Sequence, residues 1–342
     1  MTDQVLSDKN IDFVAKGESE ETIKDFLYQF ENNQQWDDVL GLSYKNGQVK
    51  HNTPRPLKQN LDDLPYPARE CLYDVENYET DSLSKLFSSR GCPFQCNYCG
   101  TQNIWTYKFR HHGTKRIISE IKMVKKYYGS TNFTFFDDVF AMNKKYTMTL
   151  LDEMIKADLG VKWSCLTRAN LLSDELLIKM KDAGCTKIDM GVESGSPKVL
   201  KSTKKGLTVE EIENGASLVQ KNGLFLYCFF MIGLPYENEN DIELTKELLL
   251  KIKPDWAGIS IFTPIPGTEI WNELQEQGKI SENPDYAMFS HQSPHSNFAF
   301  NMDNKETFPA LAQDMLEFVQ EYNGQYRHLF KRAKTRGYLK NP

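Results

Sequence analysis

The sequence predicts an α/β fold with a parallel sheet, open or curled into a partial barrel, flanked by a small N-terminal α/β region and a helical C-terminal extension. Two observations predict it. Over about residues 79–280, strand-like and helix-like segments alternate, and the strands recur at roughly 30 residues, the size of a βαβ unit. The longest apolar run, Leu224–Pro235, suits a strand buried on both faces and falls well short of the roughly 20 residues that span a bilayer.

The candidate strands are 84–88, 132–137, 162–167, 187–191, 224–232 and 257–262. Helical periodicity falls between them at 115–128, 144–157, 174–183, 209–221 and 239–252. Before them, about residues 1–78 form a first region. Ile11–Ala15 reads as a short strand, and an amphipathic helix starts near Ser19 with Ile23, Phe26, Leu27 and Phe30 on one face. Asn46-Gly47 marks a hairpin in which both turn residues favour φ > 0, and the proline-punctuated stretch Leu61–Arg69 reads as a linker. The third region, about 281–342, begins with polar loop carrying His291, His295, Phe298 and Phe300. It ends in a helix from about Phe308 to Lys334 whose basic end (Lys331, Arg332, Lys334, Arg336) suits a helix C-terminus.

The 342 residues are 40% hydrophobic and 26% charged, enough apolar material for a sizeable core, and carry a net charge of -6 with a pI near 5.7. That balance implies no nucleic-acid partner. No secretory signal is visible at Met1–Asn10, and no segment reads as a membrane span, so a cytoplasmic location is expected. Seven cysteines, three of them within eight residues, point to metal or redox chemistry in place of a disulfide framework.

Those three are Cys92, Cys96 and Cys99, in the loop Arg90-Gly91-Cys92-Pro93-Phe94-Gln95-Cys96-Asn97-Tyr98-Cys99 after the first strand. Thiolates suit iron–sulfur clusters and zinc. A [4Fe-4S] cluster normally takes four cysteines, so three leave one iron open, as a catalytic site requires. The remaining cysteines, Cys71, Cys165, Cys185 and Cys228, are scattered. A zinc site completed by His111 or His112 is the alternative.

The spacing C-x3-C-x2-C, with aromatic Tyr98 before the last cysteine, resembles the signature of the radical S-adenosylmethionine (SAM) superfamily, whose core is a partial (β/α)6 barrel. The resemblance implies a [4Fe-4S] cluster on the three cysteines and SAM on its open iron. It implies reductive cleavage of SAM to a 5′-deoxyadenosyl radical that removes hydrogen from an organic substrate. The expected electron donor is a flavodoxin or ferredoxin. At the later strand ends the resemblance suggests cofactor contacts from Asp137 and Asp138, Arg168, Glu193 with Ser194, and the loops Ile232–Glu237 (Gly233, Pro235) and Thr263–Thr268. Each has a plainer reading: Asp138 as a helix cap, Arg168 as a rim salt bridge, Glu193 in an ordinary turn.

The segments Asp12–Glu20, Gly41–Tyr44 and Leu61–Arg69 resemble the last part of a cobalamin-binding domain and its linker, which links the chain to a branch containing methyltransferases and ring-forming cyclases. The earlier β-α units of such a domain and its Asp-x-His-x-x-Gly loop are not found here, and His51, beside the hairpin, reads as an exposed side chain. The expectation is that this chain alone binds no cobalamin. Methylthio transfer, which typically needs a second cluster, is opposed by the lack of a second cysteine group, and a non-catalytic iron–sulfur or zinc protein is the reading from another class.

Overall fold

The computed structural model describes residues 1–32, 34–281, 284–286 and 306–325. His291, His295, Phe298 and Phe300, the candidates for lining the substrate side of the barrel, and the basic end expected for the C-terminal helix lie outside these residues.

The N-terminal region opens with a short helix α1 (Thr2–Ser7) and forms a three-stranded antiparallel sheet, β1 (Phe13–Ala15), β2 (Leu42–Asn46) and β3 (Gln48–His51), with helix α2 (Glu20–Glu31) between the first two strands. Two expectations change here. In the β2–β3 turn only Gly47 takes a positive φ, at 71°, and Asn46 already pairs with Gln48. On α2, Phe26 packs on Phe13 and Trp36, but Ile23, Leu27 and Phe30 stay exposed. Polar anchors set that rotation: buried Thr22 donates to the Leu40 carbonyl and accepts from Arg55 Nε, while Arg55 also pairs with Asp25. His51 donates to or accepts from Ser43 at 3.0 Å and lies 2.8 Å from Asp3, partly exposed.

The main body is one parallel sheet of six strands in chain order: β4 (Lys85–Leu86), β7 (Asn132–Phe135), β8 (Lys162–Thr167), β9 (Cys185–Glu193), β10 (Phe225–Ile232) and β11 (Trp256–Ile261). The end strands β4 and β11 do not pair with each other, so the barrel is partial. The expected first strand, 84–88, is split. After Leu86 the chain leaves the sheet, and β5 (Ser89–Arg90) pairs antiparallel with β6 (Arg110–His111). Between them lie the cysteine loop and helix α3 (Thr101–Trp105).

The crossover helices α4 (Thr114–Tyr128), α5 (Lys144–Ala157), α6 (Asp174–Asp182), α8 (Val209–Lys221) and α9 (Glu239–Ile252) match the expected periods to within a residue. Their apolar stripes meet the outward face of the sheet in one large core that includes Trp163, Ile188, Leu226 and Phe230. Sequence periodicity missed the short helices α7 (Pro197–Ser202) and α10 (Glu269–Glu276), which spans too few turns to show a period. No helix among the described residues is long and apolar enough to cross a membrane.

Helix α11 (Phe308–Gly324) covers the open edge at β11. Buried Asn323 pairs with that edge as another strand would: its Oδ1 accepts from Ala257 N at 3.0 Å and its Nδ2 donates to Ala257 O at 2.7 Å. An uncovered edge strand leaves peptide groups unsatisfied. Replacing Asn323 by Ala leaves both buried peptide groups without partners and is expected to destabilise the fold by about 2 kcal/mol. Urea unfolding under oxygen-free conditions checks this, and an unchanged midpoint would contradict the role.

Candidate active site at the carboxyl ends of the strands

Ligands on parallel α/β folds bind at the carboxyl ends of the strands, and the cysteine loop closes over that end. Gly91 starts it with φ at 90°, and a Cβ there would fall 2.1 Å from the Lys108 carbonyl oxygen, so no other residue fits. Cys99 N donates to Cys96 O at 3.2 Å, which folds the loop back on itself. Asn97 ties it to the end of α7, donating from N to Thr203 O and from Nδ2 to Ser202 O. Cys96 is buried, and Cys92 and Cys99 are half-buried. Burial, with Cys96 and Cys99 nearby, pushes the Cys92 thiol up to about 11, so metal binding would have to displace its proton.

Among the described residues, no three His, Cys, Asp or Glu side chains gather around one ion. The two histidines of the zinc alternative have partners of their own. His112 Nδ1 lies 3.0 Å from Asp62, and His111 stacks on Tyr146 with ring centroids 3.9 Å apart. Three soft donors on one loop fit a cluster in which each thiolate takes its own iron.

Two adjacent carboxylates at the end of β7 hold this loop. Asp137 is fully enclosed: Oδ1 accepts from Ser88 N at 2.7 Å, and Oδ2 accepts from the Ser88 hydroxyl and from Ser89 Oγ at 2.6 Å. Asp138 accepts from Gly91 N at 2.8 Å and from Thr101 Oγ1 at 3.2 Å, and Thr101 Oγ1 lies 3.3 Å from Cys99 Sγ. Asp137 thus clamps the segment just before the cysteines, with both oxygens engaged. Asp138 clamps the loop and does not cap the following helix, whose cap is Asn143.

Arg168 follows β8. Its guanidinium stacks 3.7 Å over the Phe94 ring, Nη1 lies 3.8 Å from Cys96 Sγ, and Nη2 donates to the Lys205 carbonyl and to Gly206 O. It braces the cysteine loop and forms no rim salt bridge among the described residues. Glu193, at the end of β9, is held at a φ of 67° that only glycine adopts freely, and pairs at 2.7 Å with Lys205, which is itself buried. Tyr98 stands beside them, its hydroxyl pushed well up by burial and then by the Glu193 charge. Ser194 is buried and spent on its own turn, with Oγ 3.2 Å from Thr245 Oγ1 and accepting from Ser196 N.

After β10, Gly233 takes φ at 81° against the Phe308 ring, and Pro235 is buried. Glu237 closes this loop, accepting from Gly233 N at 2.5 Å and Leu234 N at 3.2 Å, while its other oxygen has no partner among the described residues. After β11, Asn103 of α3 donates to Pro266 O at 3.0 Å, so the sixth loop lies against the cysteine segment. Arg168 Nε, Asn97 Oδ1 and Thr263 Oγ1 are further buried polar atoms without partners among the described residues, and all belong to these strand-end loops. Such groups mark where a polar ligand fits. Lys205, Asn97 and Thr101 escaped sequence analysis, since a lysine after a short helix, an amide and a threonine carry no spacing signal.

Residues 86–249 match the radical SAM superfamily. The chain belongs to that superfamily. Radical SAM proteins use a [4Fe-4S] cluster and SAM. The chain is 33% identical over 264 residues to an uncharacterised methyltransferase of Pyrococcus horikoshii, covering 76% of this chain and 57% of that protein. It is 26% identical over 298 residues to the anaerobic magnesium-protoporphyrin IX monomethyl ester cyclase of Rubrivivax gelatinosus, covering 84% and 53%. The chain thus spans little more than half the length of these relatives. Its fold is shared with the cobalamin-dependent SAM radical enzyme OxsB (TM-score 0.72, 17% identity, 96% of this chain and 53% of that one). It is also shared with the radical SAM methyltransferase TsrM of Kitasatospora setae (TM-score 0.69, 16% identity, 78% and 54%).

Burial raises the Glu237 carboxyl to about 8 from an ordinary 4.5, so between those values the native radical SAM domain holds a proton that the unfolded chain has released. Native stability therefore falls as pH rises through that window, by up to about 1.4 kcal/mol per pH unit. Glu237→Gln imitates the neutral acid and keeps the acceptor for both peptide N–H groups. The expected result, by urea unfolding of the cluster-free chain from pH 5 to 8, is a variant whose stability gains steadily on the wild type as pH rises. Parallel profiles would contradict it.

Proposed function

We propose that this chain holds a [4Fe-4S] cluster on Cys92, Cys96 and Cys99, binds SAM at the iron they leave open, and carries out radical chemistry on an organic substrate. The observation that carries this reading is the cysteine loop clamped by Asp137 and Asp138 beside the pair that buried Lys205 makes with Glu193. When bound, the cluster supplies the electron that splits the sulfonium of SAM into methionine and a 5′-deoxyadenosyl radical.

The chain's own residues position and shield. Arg168, stacked on Phe94, keeps the Cys96 sulfur in place. Lys205 presents an ammonium suited to the SAM carboxylate, and its engagement there frees Glu193 to accept from the ribose hydroxyls. Tyr98 and the turn after Glu193 complete that wall. Gly233 and Pro235 shape an apolar edge for the adenine and help exclude water. The electron comes from a separate donor of the flavodoxin or ferredoxin kind.

A second reading, favoured by the names of the relatives, places the same SAM chemistry in methyl transfer or ring closure, with cobalamin carried by a separate domain. Both readings share the first steps and are tested together.

Anaerobic reconstitution is expected to load about four iron atoms per chain. Dithionite and SAM then yield 5′-deoxyadenosine, and Cys96→Ala loses both iron and product. Lys205→Ala is expected to keep its iron while KM for SAM rises about tenfold, as loss of a charge-assisted contact implies. A colourless zinc-filled protein, or full product from Cys96→Ala, would overturn the proposal.

A further inference from the structure

Strand alternation sorts side chains between the helix-covered face and the lumen of the partial barrel. Helix-facing positions include Leu86, Phe135, Trp163, Ile188, Leu226 and Ala257. Their sequence neighbours face the lumen, and the strand register aligns them in layers. Near the amino ends, one layer holds Lys85, Thr134, Ser164 and Lys187. The next layer, toward the cysteine loop, carries the aromatic rings of Tyr227 and Trp256 beside Leu166 and Asp189, with Phe136 and Phe87 just past the ends of β7 and β4.

Phe87 and Phe136 are 44% and 52% exposed, with ring centroids 6.4 Å apart. Across the lumen Tyr227 stacks on Phe229 at 4.5 Å, and Gly258 leaves room for the Tyr227 ring, since a Cβ there would lie 2.7 Å from its hydroxyl. Below the aromatic layer opens a cavity of about 650 Å³ whose lining includes Lys85, Lys187, Tyr227 and Trp256. Lys187 pairs with Asp189 at 3.0 Å, while Lys85 makes no ion pair among the described residues and sits 5.4 Å from the Phe136 ring. The lining carries Lys85, Lys162 and Lys187 against Glu79 and Asp81, with Asp189 engaged on Lys187.

We propose that the lumen takes an extended, flat conjugated substrate with an anionic group, its rings against the aromatic layer and its anion at Lys85 and Lys187. This rests on the radical reading of the site above. From Lys187 to Glu193 is six residues of strand, about 20 Å, so a molecule that reaches both the lysines and the cofactor is much longer than a single amino acid. The reacting carbon lies at the end of the molecule away from the anion.

The test is anaerobic binding of three probes: deuteroporphyrin IX, its dimethyl ester, and L-tryptophan. Deuteroporphyrin is expected to bind best. Blocking its carboxylates as the ester, or making Lys85→Ala or Lys187→Ala, should each weaken binding about tenfold, the effect of losing one charge-assisted contact. Phe136→Ala should weaken acid and ester alike, and thermal unfolding of each variant confirms that it is folded. Equal affinity for acid and ester with no effect of either lysine, or a preference for L-tryptophan, would overturn the proposal. 5′-Deoxyadenosine formation by the wild type is read separately: if it fails while the probe pattern holds, the radical reading is lost and the assignment of the lumen is not.

Discussion

The site depends on the placement of two neighbouring carboxylates at the end of one short strand. Asp137 spends both oxygens on Ser88 and Ser89, and Asp138 accepts from Gly91 and Thr101. Together they fix the cysteine loop at its entry and where it enters α3. Burying a carboxylate is costly unless it is hydrogen-bonded. For Asp137 the desolvation cost exceeds what the hydrogen bonds recover, which is why its carboxyl rises to about 6. The same contacts keep a loop with few apolar anchors from wandering, so three sulfurs are presented before any metal arrives.

A second constraint ties the loop to the N-terminal region. Buried Glu18 accepts from Arg110 at 2.8 Å and from Arg90 at 3.1 Å, and Arg90 immediately precedes Gly91. Arg69, also buried, reaches the Leu83 carbonyl and Glu120. The stretch 61–69 expected to act as a linker is therefore docked along the barrel, with Asp62 accepting from Gly113 N. The N-terminal sheet is thus coupled to the cysteine loop through charged groups, and the rotation of α2 that exposes Ile23 and Leu27 follows from the same polar anchoring.

Much of the architecture was legible because its signals are local. The periods of α4, α5, α8 and α9 and the strands between them follow from apolar spacing, and the cysteine trio follows from ligand count. What escaped depends on tertiary geometry. The break of the first strand at Leu86 is caused by pairing with β6, some twenty residues away. Strand-end position places Asp137, Arg168 and Ser194 near the site, but the hydrogen bonds they make to Ser88, the Lys205 carbonyl and Ser196 depend on the folded chain. Lys205 lay hidden as well: only folding brings it to Glu193.

The central claim is that SAM meets an iron left open by Cys92, Cys96 and Cys99. Electron–nuclear double resonance on the reduced, cluster-loaded chain with SAM labelled at its amino nitrogen and carboxylate oxygens tests that contact directly. Hyperfine coupling to both labels is the predicted result. A cluster spectrum that does not change when the labelled SAM is added would contradict the account.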